Sequence, residues 1–184
     1  SLALLETGAF AEAWPHYEYG LSLGDRHKRD HSIPAWKGEE GKKVVVYGEQ
    51  GIGDEIMFAQ FIPDLIKKSE KIFIECHPRL VKLFRRAFPD NPVHGTRKDE
   101  KIHWLEPGMA DCSVAMGSLP LYLGPEFPKR TFLSADPKPP ELQRPLIGIH
   151  WFGGHKRTRR DLRSIPLMDF LPILRLKNAS FISL

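Results

Sequence analysis

The chain has 184 residues, of which 41% are hydrophobic and 27% charged, a globular composition that excludes global disorder. No apolar run approaches the ~18 residues needed to cross a bilayer, and two cysteines, Cys76 and Cys112, are too few for a disulfide framework and fit a reducing, cytoplasmic compartment. The formal net charge of +4 is modest, so it suggests affinity for anions without marking a nucleic-acid binder.

Residues 2–22 place Leu4, Leu5, Phe10, Ala13, Trp14, Tyr17 and Leu21 at helical spacing, with Gly8 where a turn between two helices would want it. A helix, a tight turn and a second helix resemble one tetratricopeptide-type unit. Such a unit cannot bury its own apolar face and implies stacked neighbours. An ordinary helical hairpin capping the next domain is the alternative. Residues 23–42 are mostly polar, broken by Gly24, Pro34, Gly38 and Gly41, and read as a connector with Trp36 as a packing anchor.

From Lys43 the pattern changes. Val44 to Tyr47 is a β-branched run, followed at once by the loop Gly48-Glu49-Gln50-Gly51-Ile52-Gly53-Asp54 and a helical segment from Glu55 to Lys68, in which Pro63 predicts a kink or break. Ile72 to Cys76 is a second strand, and Pro78 to Phe88 a second helix with proline in its first turn. Strand, glycine loop, helix, strand, helix predicts an α/β fold with a Rossmann-like parallel sheet. After the poorly patterned residues 92–110, Asp111 to Met116 reads as another strand and Leu119 to Leu123 as a short apolar element. Pro137, Pro139, Pro140 and Pro145 mark a stiff linker. Leu146 to Trp151 is a new strand, Pro166 to Leu176 a helix, and Ser180 to Leu184 a further strand. The predicted organisation is a helical hairpin at 1–22, a connector at 23–42, a Rossmann-like domain at 43–136, a linker at 137–145, and the first βαβ unit of a second Rossmann-like domain at 146–184. Both ends fall inside element-like patterns, which predicts an excerpt of a longer protein.

Ligands of open parallel sheets bind at the carboxyl ends of the strands, which directs attention to residues 48–54. Gly51 and Gly53 allow close backbone approach, and the helix behind them offers N–H groups to an anion. The loop lacks the third glycine of the dinucleotide fingerprint and the Lys-Ser/Thr of a phosphate loop. Asp54 would repel a phosphate placed there and is better suited to taking a proton from a hydroxyl. Its alternative role is helix N-cap, for which Asp is among the best residues.

The run Tyr47-Gly48-Glu49-Gln50-Gly51-Ile52-Gly53-Asp54-Glu55-Ile56-Met57-Phe58-Ala59 resembles the first loop of heptosyltransferase-like glycosyltransferases (glycosyltransferase family 9, GT-B type). It is closest to that of bacterial tetratricopeptide-repeat (TPR) proteins carrying such a domain. The helix pair ending Trp14-Pro15-His16-Tyr17-Glu18, the connector Pro34-Ala35-Trp36-Lys37-Gly38-Glu39, Glu75-Cys76, Ser118-Leu119-Pro120, residues 147–154 and Arg163-Ser164-Ile165-Pro166-Leu167 agree in order and spacing. The resemblance implies a two-domain transferase with the acceptor held mainly by the first domain and a nucleotide-sugar donor mainly by the second. It implies no metal and no cofactor. Asp54 would be the catalytic base, with Gln50, Gly51, Gly53 and Trp151 near substrate. TPR-type repeats would recruit protein partners, and the acceptor would be a glycan or protein.

The second loop is basic, carrying His155, Lys156, Arg157, Arg159, Arg160 and Arg163 after Phe152-Gly153-Gly154. Arginine forks match phosphate oxygens, and glycine N–H groups reach the same anion. By the resemblance, Gly153, Gly154, Thr158 and Arg163 contact the donor diphosphate. A solvated charged loop is the alternative. A nucleic-acid patch is disfavoured, because the basic run is confined to one loop without interleaved stacking aromatics. Cys76-His77 and the scattered histidines lack metal-ligand spacing. Two functions stand: part of a glycosyltransferase whose 184 residues alone are inactive, or a non-catalytic TPR-linked scaffold with a degenerate transferase fold.

Overall fold

In this computed structural model the described residues are 2–97, 99–134, 145–153 and 160–184. The chain divides into two compact units, Ser1–Ala135 and Asp136–Leu184.

The first unit opens with helices α1 (Leu2–Glu6) and α2 (Phe10–Leu23), separated by a turn at Gly8 with φ +80°. A left-handed residue there costs glycine nothing and a Cβ-bearing residue a steric clash. Strands β1 (Lys43–Tyr47), β2 (Lys71–Cys76), β3 (Val93–Gly95) and β4 (Cys112–Ala115) form a four-stranded sheet of order β3-β2-β1-β4, parallel throughout. The fold is thus α/β with a Rossmann-like parallel sheet. Its central strands are buried along nearly their whole length, as parallel strands covered on both faces must be.

The helix expected from Glu55 to Lys68 starts earlier and is broken. Helix α3 (Ile52–Phe58) is followed by a 3₁₀ turn (Ala59–Phe61) and helix α4 (Ile62–Lys68). Pro63 lacks the N–H that a continuous helix would require and sits in the first turn of α4, where none is needed. After β2, a 3₁₀ turn at Pro78–Leu80 leads into α5 (Val81–Ala87). After β4, a 3₁₀ turn at Met116–Ser118 leads into α6 (Leu119–Leu123). The short β3 lies within the stretch that carries no pattern in the sequence.

One face of the sheet packs Val44, Val46, Ile72 and Ile74 against Phe58, Phe61, Ile62, Leu65 and Phe84. The helical hairpin belongs to this core. Trp14 is 3% exposed, meets the rings of Phe10, Tyr17, Phe58 and Phe127, and donates its indole N–H to the Pro125 carbonyl at 2.6 Å. Trp36 is buried, packs on Tyr122, and donates to the Glu39 carbonyl at 2.7 Å.

The second unit contains a parallel strand pair, β5 (Leu146–Ile149) and β6 (Ser180–Ser183), with a short helix α7 (Leu171–Leu174) between them in sequence. The expected helix over 166–176 is a 3₁₀ turn (Leu167–Phe170) followed by α7. None of this unit's described side chains is buried. Pro137, Pro139 and Pro140 of the expected linker lie outside the described residues, as do Gly154, Thr158 and the basic residues His155, Lys156, Arg157 and Arg159.

Candidate functional site at the carboxyl edge of the sheet

Gly48, His77 and Thr96 are the first residues beyond β1, β2 and β3, and all three line one cleft of about 510 Å³. Backbone bonds continue the ladder past the strand ends: Gly48 N–H donates to the Glu75 carbonyl at 2.9 Å, and Thr96 N–H to that of Cys76 at 3.0 Å. Gln50, Glu55 and Arg97 add side chains to the walls. Glu55 is 5% exposed, and its Oε2 accepts the His77 backbone N–H at 2.8 Å. A Cβ on Gly48 would overlap the Glu55 carboxyl group, so glycine after β1 is what lets this carboxylate reach the floor of the cleft. The His77 ring is oriented by its own turn: Arg79 N–H donates to Nδ1 at 3.2 Å. An acceptor at Nδ1 puts the ring hydrogen on Nε2, as a donor.

Asp54 lies in the first turn of α3, three residues past the cap residue Gly51, whose N–H donates to Asp54 Oδ2 at 3.0 Å. Gly51, rather than Asp54, is therefore the N-cap. Asp54 is partly exposed and precedes the cleft residue Glu55. A Cβ at Gly53 would meet nothing within 4 Å, so the helix is open to approach at that point. Of the residues singled out in this loop, Gln50 lines the cleft, while Gly51 caps α3 and Gly53 and Asp54 lie in its first turn. Gln50 is clamped: Oε1 accepts from the Tyr17 hydroxyl at 2.9 Å, and Nε2 donates to Glu49 Oε1 at 3.0 Å.

Between β1 and β4, where the strand order reverses, the edge is filled by an ion pair that the sequence did not reveal. Arg26 and Glu49 are 3% and 2% exposed. Glu49 Oε1 accepts from Arg26 Nη2 at 2.8 Å and Nε at 3.1 Å, and from the Gly117 N–H at 3.2 Å. Arg26 also reaches Ser118 Oγ at 3.0 Å and stacks 4.5 Å from the centre of the Tyr17 ring. A second buried cluster follows three residues on. Arg29 Nη2 lies 2.6 Å from Glu75 Oε1, and His31 Nε2 lies 2.9 Å from Glu75 Oε2. The expected polar connector is thus a strap across the carboxyl edge, tied to one carboxylate after β1 and another in β2. Burial, followed by the nearby Glu49 charge, raises the Tyr47 phenol to about 12, and burial raises Cys76 beneath the cleft to about 12.

In the second unit, Trp151 and Phe152 line a shallow depression with Ser164 and Ile165. Gly153 N–H meets Ser164 Oγ at 3.4 Å, and Arg160 lies 3.6 Å from the centre of the Phe152 ring. Arg163 is exposed in a 3₁₀ turn. Among the described residues no group of three His, Cys, Asp or Glu could hold a metal ion, and no helix is long and apolar enough to cross a membrane.

Fold and site together define a Rossmann-like α/β protein with a polar cleft at the carboxyl edge of its sheet. The chain is 28% identical to the protein FlbA of Caulobacter vibrioides over 209 aligned positions, covering 98% of this chain and 35% of that protein. It spans about a third of the length of that curated relative. No protein-family model matches the chain, and no solved structure matches it.

Proposed function

We propose that the chain is the acceptor-binding part of a GT-B-type glycosyltransferase that moves a sugar from a nucleotide-sugar to a glycan or protein acceptor. The observation that carries this reading is the cleft lined by the first residues past three parallel strands, with the turn bearing Asp54 at its side. The Asp54 carboxylate takes the proton of the acceptor hydroxyl as its oxygen attacks the anomeric carbon. The bond from that carbon to the donor diphosphate breaks, and the nucleoside diphosphate leaves with the bonding electrons. Arg163, with Gly153, Gly154 and Thr158, offsets the developing negative charge. No metal or cofactor is needed in this scheme. Helices α1 and α2 form one TPR-type unit whose neighbours recruit protein partners, and the protein works in the cytoplasm.

The 184 residues alone are inactive on this reading, which is supported by a second unit in which none of the described side chains is buried. One observation favours the scaffold alternative: the reversal point of the sheet is plugged by Arg26 and Glu49, as in a domain that has given up a ligand. Incubating the intact natural protein with a panel of nucleotide-sugars, with and without candidate acceptors, separates the two. Release of nucleoside diphosphate that requires Asp54 supports the transferase, and none with any donor supports the scaffold.

A further inference from the structure

Helix α2 is bonded to the loop after β1 through Tyr17. The Tyr17 ring is held by three neighbours: the ring of Trp14 edge-on at 5.6 Å between centres, that of Phe58 in α3 at 6.0 Å, and the Arg26 guanidinium 4.5 Å from its centre. So held, it brings its hydroxyl to Gln50 Oε1 at 2.9 Å. Burial raises the pKa of this phenol above its ordinary value, so the group is protonated at neutral pH and donates.

The far side of Gln50 fixes which amide atom faces which partner. Glu49, paired with Arg26, only accepts, so the Gln50 atom 3.0 Å from its Oε1 is the amide nitrogen. The amide oxygen is then the atom turned to Tyr17. One Nε2 hydrogen goes to Glu49, and the second has no partner among the described residues. Gln50 lines the cleft past β1, β2 and β3. The following residue, Gly51, gives its N–H to Asp54 Oδ2 at 3.0 Å. The Tyr17 bond therefore anchors the backbone from which both the Gln50 amide and the contact to Asp54 arise. Groups that bind or react hold their geometry to within about 0.5 Å only when such supporting bonds fix them.

We propose that Tyr17 is a positioning residue of the acceptor site: its hydroxyl holds the Gln50 amide so that the remaining Nε2 hydrogen meets an acceptor hydroxyl beside Asp54. The proposal rests on the transferase reading. It makes the helical hairpin a working part of the acceptor site, in addition to any partner that its neighbours recruit.

The test is Tyr17→Phe in the intact protein, which removes the hydroxyl and keeps the ring. Hydrogen exchange read by mass spectrometry needs no substrate. The amides of residues 50–55 are expected to exchange about fivefold faster, the loss of one hydrogen bond, with a smaller change in β1 and β2. With the donor and acceptor found from the panels, the acceptor KM is expected to rise about fivefold and the donor KM to stay unchanged. In a Gln50→Ala background Tyr17→Phe is expected to raise the acceptor KM no further. No acceleration at 50–55, equal acceleration in β1 and β2, or equal rises in both KM values overturns the proposal. So does a further rise in the Gln50→Ala background. The two levels separate. Faster exchange at 50–55 in a protein that turns over no nucleotide-sugar keeps the Tyr17–Gln50 clamp and overturns the transferase reading. Turnover with an acceptor KM unmoved by Tyr17→Phe keeps the transferase and overturns the role of Tyr17.

Discussion

Arg26 and Glu49, 23 residues apart in sequence, meet at 2.8 Å where neither is more than 3% exposed. Two ions taken from water gain only when each is paired and hydrogen-bonded; removing one partner strands the other. Arg26→Met is therefore expected to cost about 3–5 kcal/mol, and Glu49→Gln in the same chain to recover much of it. Urea unfolding of the single and double variants measures this. Equal stability of wild type and Arg26→Met would show that the pair is solvated in solution.

Gly117 tests the same cradle by volume. With Glu49 Oε1 2.5 Å and Arg26 Nη2 2.8 Å from where its Cβ would be, Gly117→Ala forces the ion pair apart. The expected loss is about 1–3 kcal/mol, the usual cost of overpacking, read from the urea midpoint. Gly53→Ala, with nothing within 4 Å of the added Cβ, is the control and is expected to leave the midpoint within about 0.5 kcal/mol.

Trp14 joins the helical hairpin to the sheet. Trp14→Ala removes its contacts with Phe58 and Phe127 and the bond to Pro125, for an expected loss of about 3–5 kcal/mol. Limited proteolysis is expected to cut first near the turn at Gly8. Unchanged protease resistance would mean that the hairpin is held by something other than this residue.

Alkali is expected to destabilise the fold. Burial raises Cys76 from an ordinary 9.0 to about 12, and Tyr47 from 10.0 to about 12. Above pH 9 the unfolded chain releases the Cys76 proton, and above pH 10 that of Tyr47, while the folded chain keeps both. The unfolded state then binds fewer protons, so stability falls as pH rises from about 9 to about 12. Each group contributes up to about a tenfold change in the folding constant per pH unit. Thermal melts from pH 7 to pH 11 check the sign. Cys76 is correspondingly expected to resist iodoacetamide until the chain is unfolded.

The stretch from Lys43 to Ala87 was legible because its signals are local: a β-branched run, a glycine loop and helical spacing. The start of α3 was misplaced by three residues because Asp54 outranks glycine as a cap in general, yet here its side chain turns back to the Gly51 N–H. Strand β3 has three residues and no period; it exists through its pairing with β2. Thr96, at its end, was therefore invisible as a site residue. The strap from Arg26 to His31 reads in the sequence only as part of a polar connector, because its partners lie 23 and 44 residues away. One clue was present. Glu75 sits within the apolar strand run Ile72 to Cys76, and a carboxylate in a buried strand demands a cationic partner. Arg29 supplies it, and His31 Nε2 adds a contact at 2.9 Å.

If the turn at Asp54 serves sugar transfer, as proposed, nucleoside diphosphate release by the intact protein depends on its carboxylate. The donor and acceptor should first be identified from panels, and wild type then compared with Asp54→Ala. The expected result is a loss of turnover of about 10²-fold or more, the usual contribution of a general base, with donor affinity and urea midpoint nearly unchanged. Retention of wild-type turnover by Asp54→Ala would contradict it and leave Asp54 only its bond to Gly51.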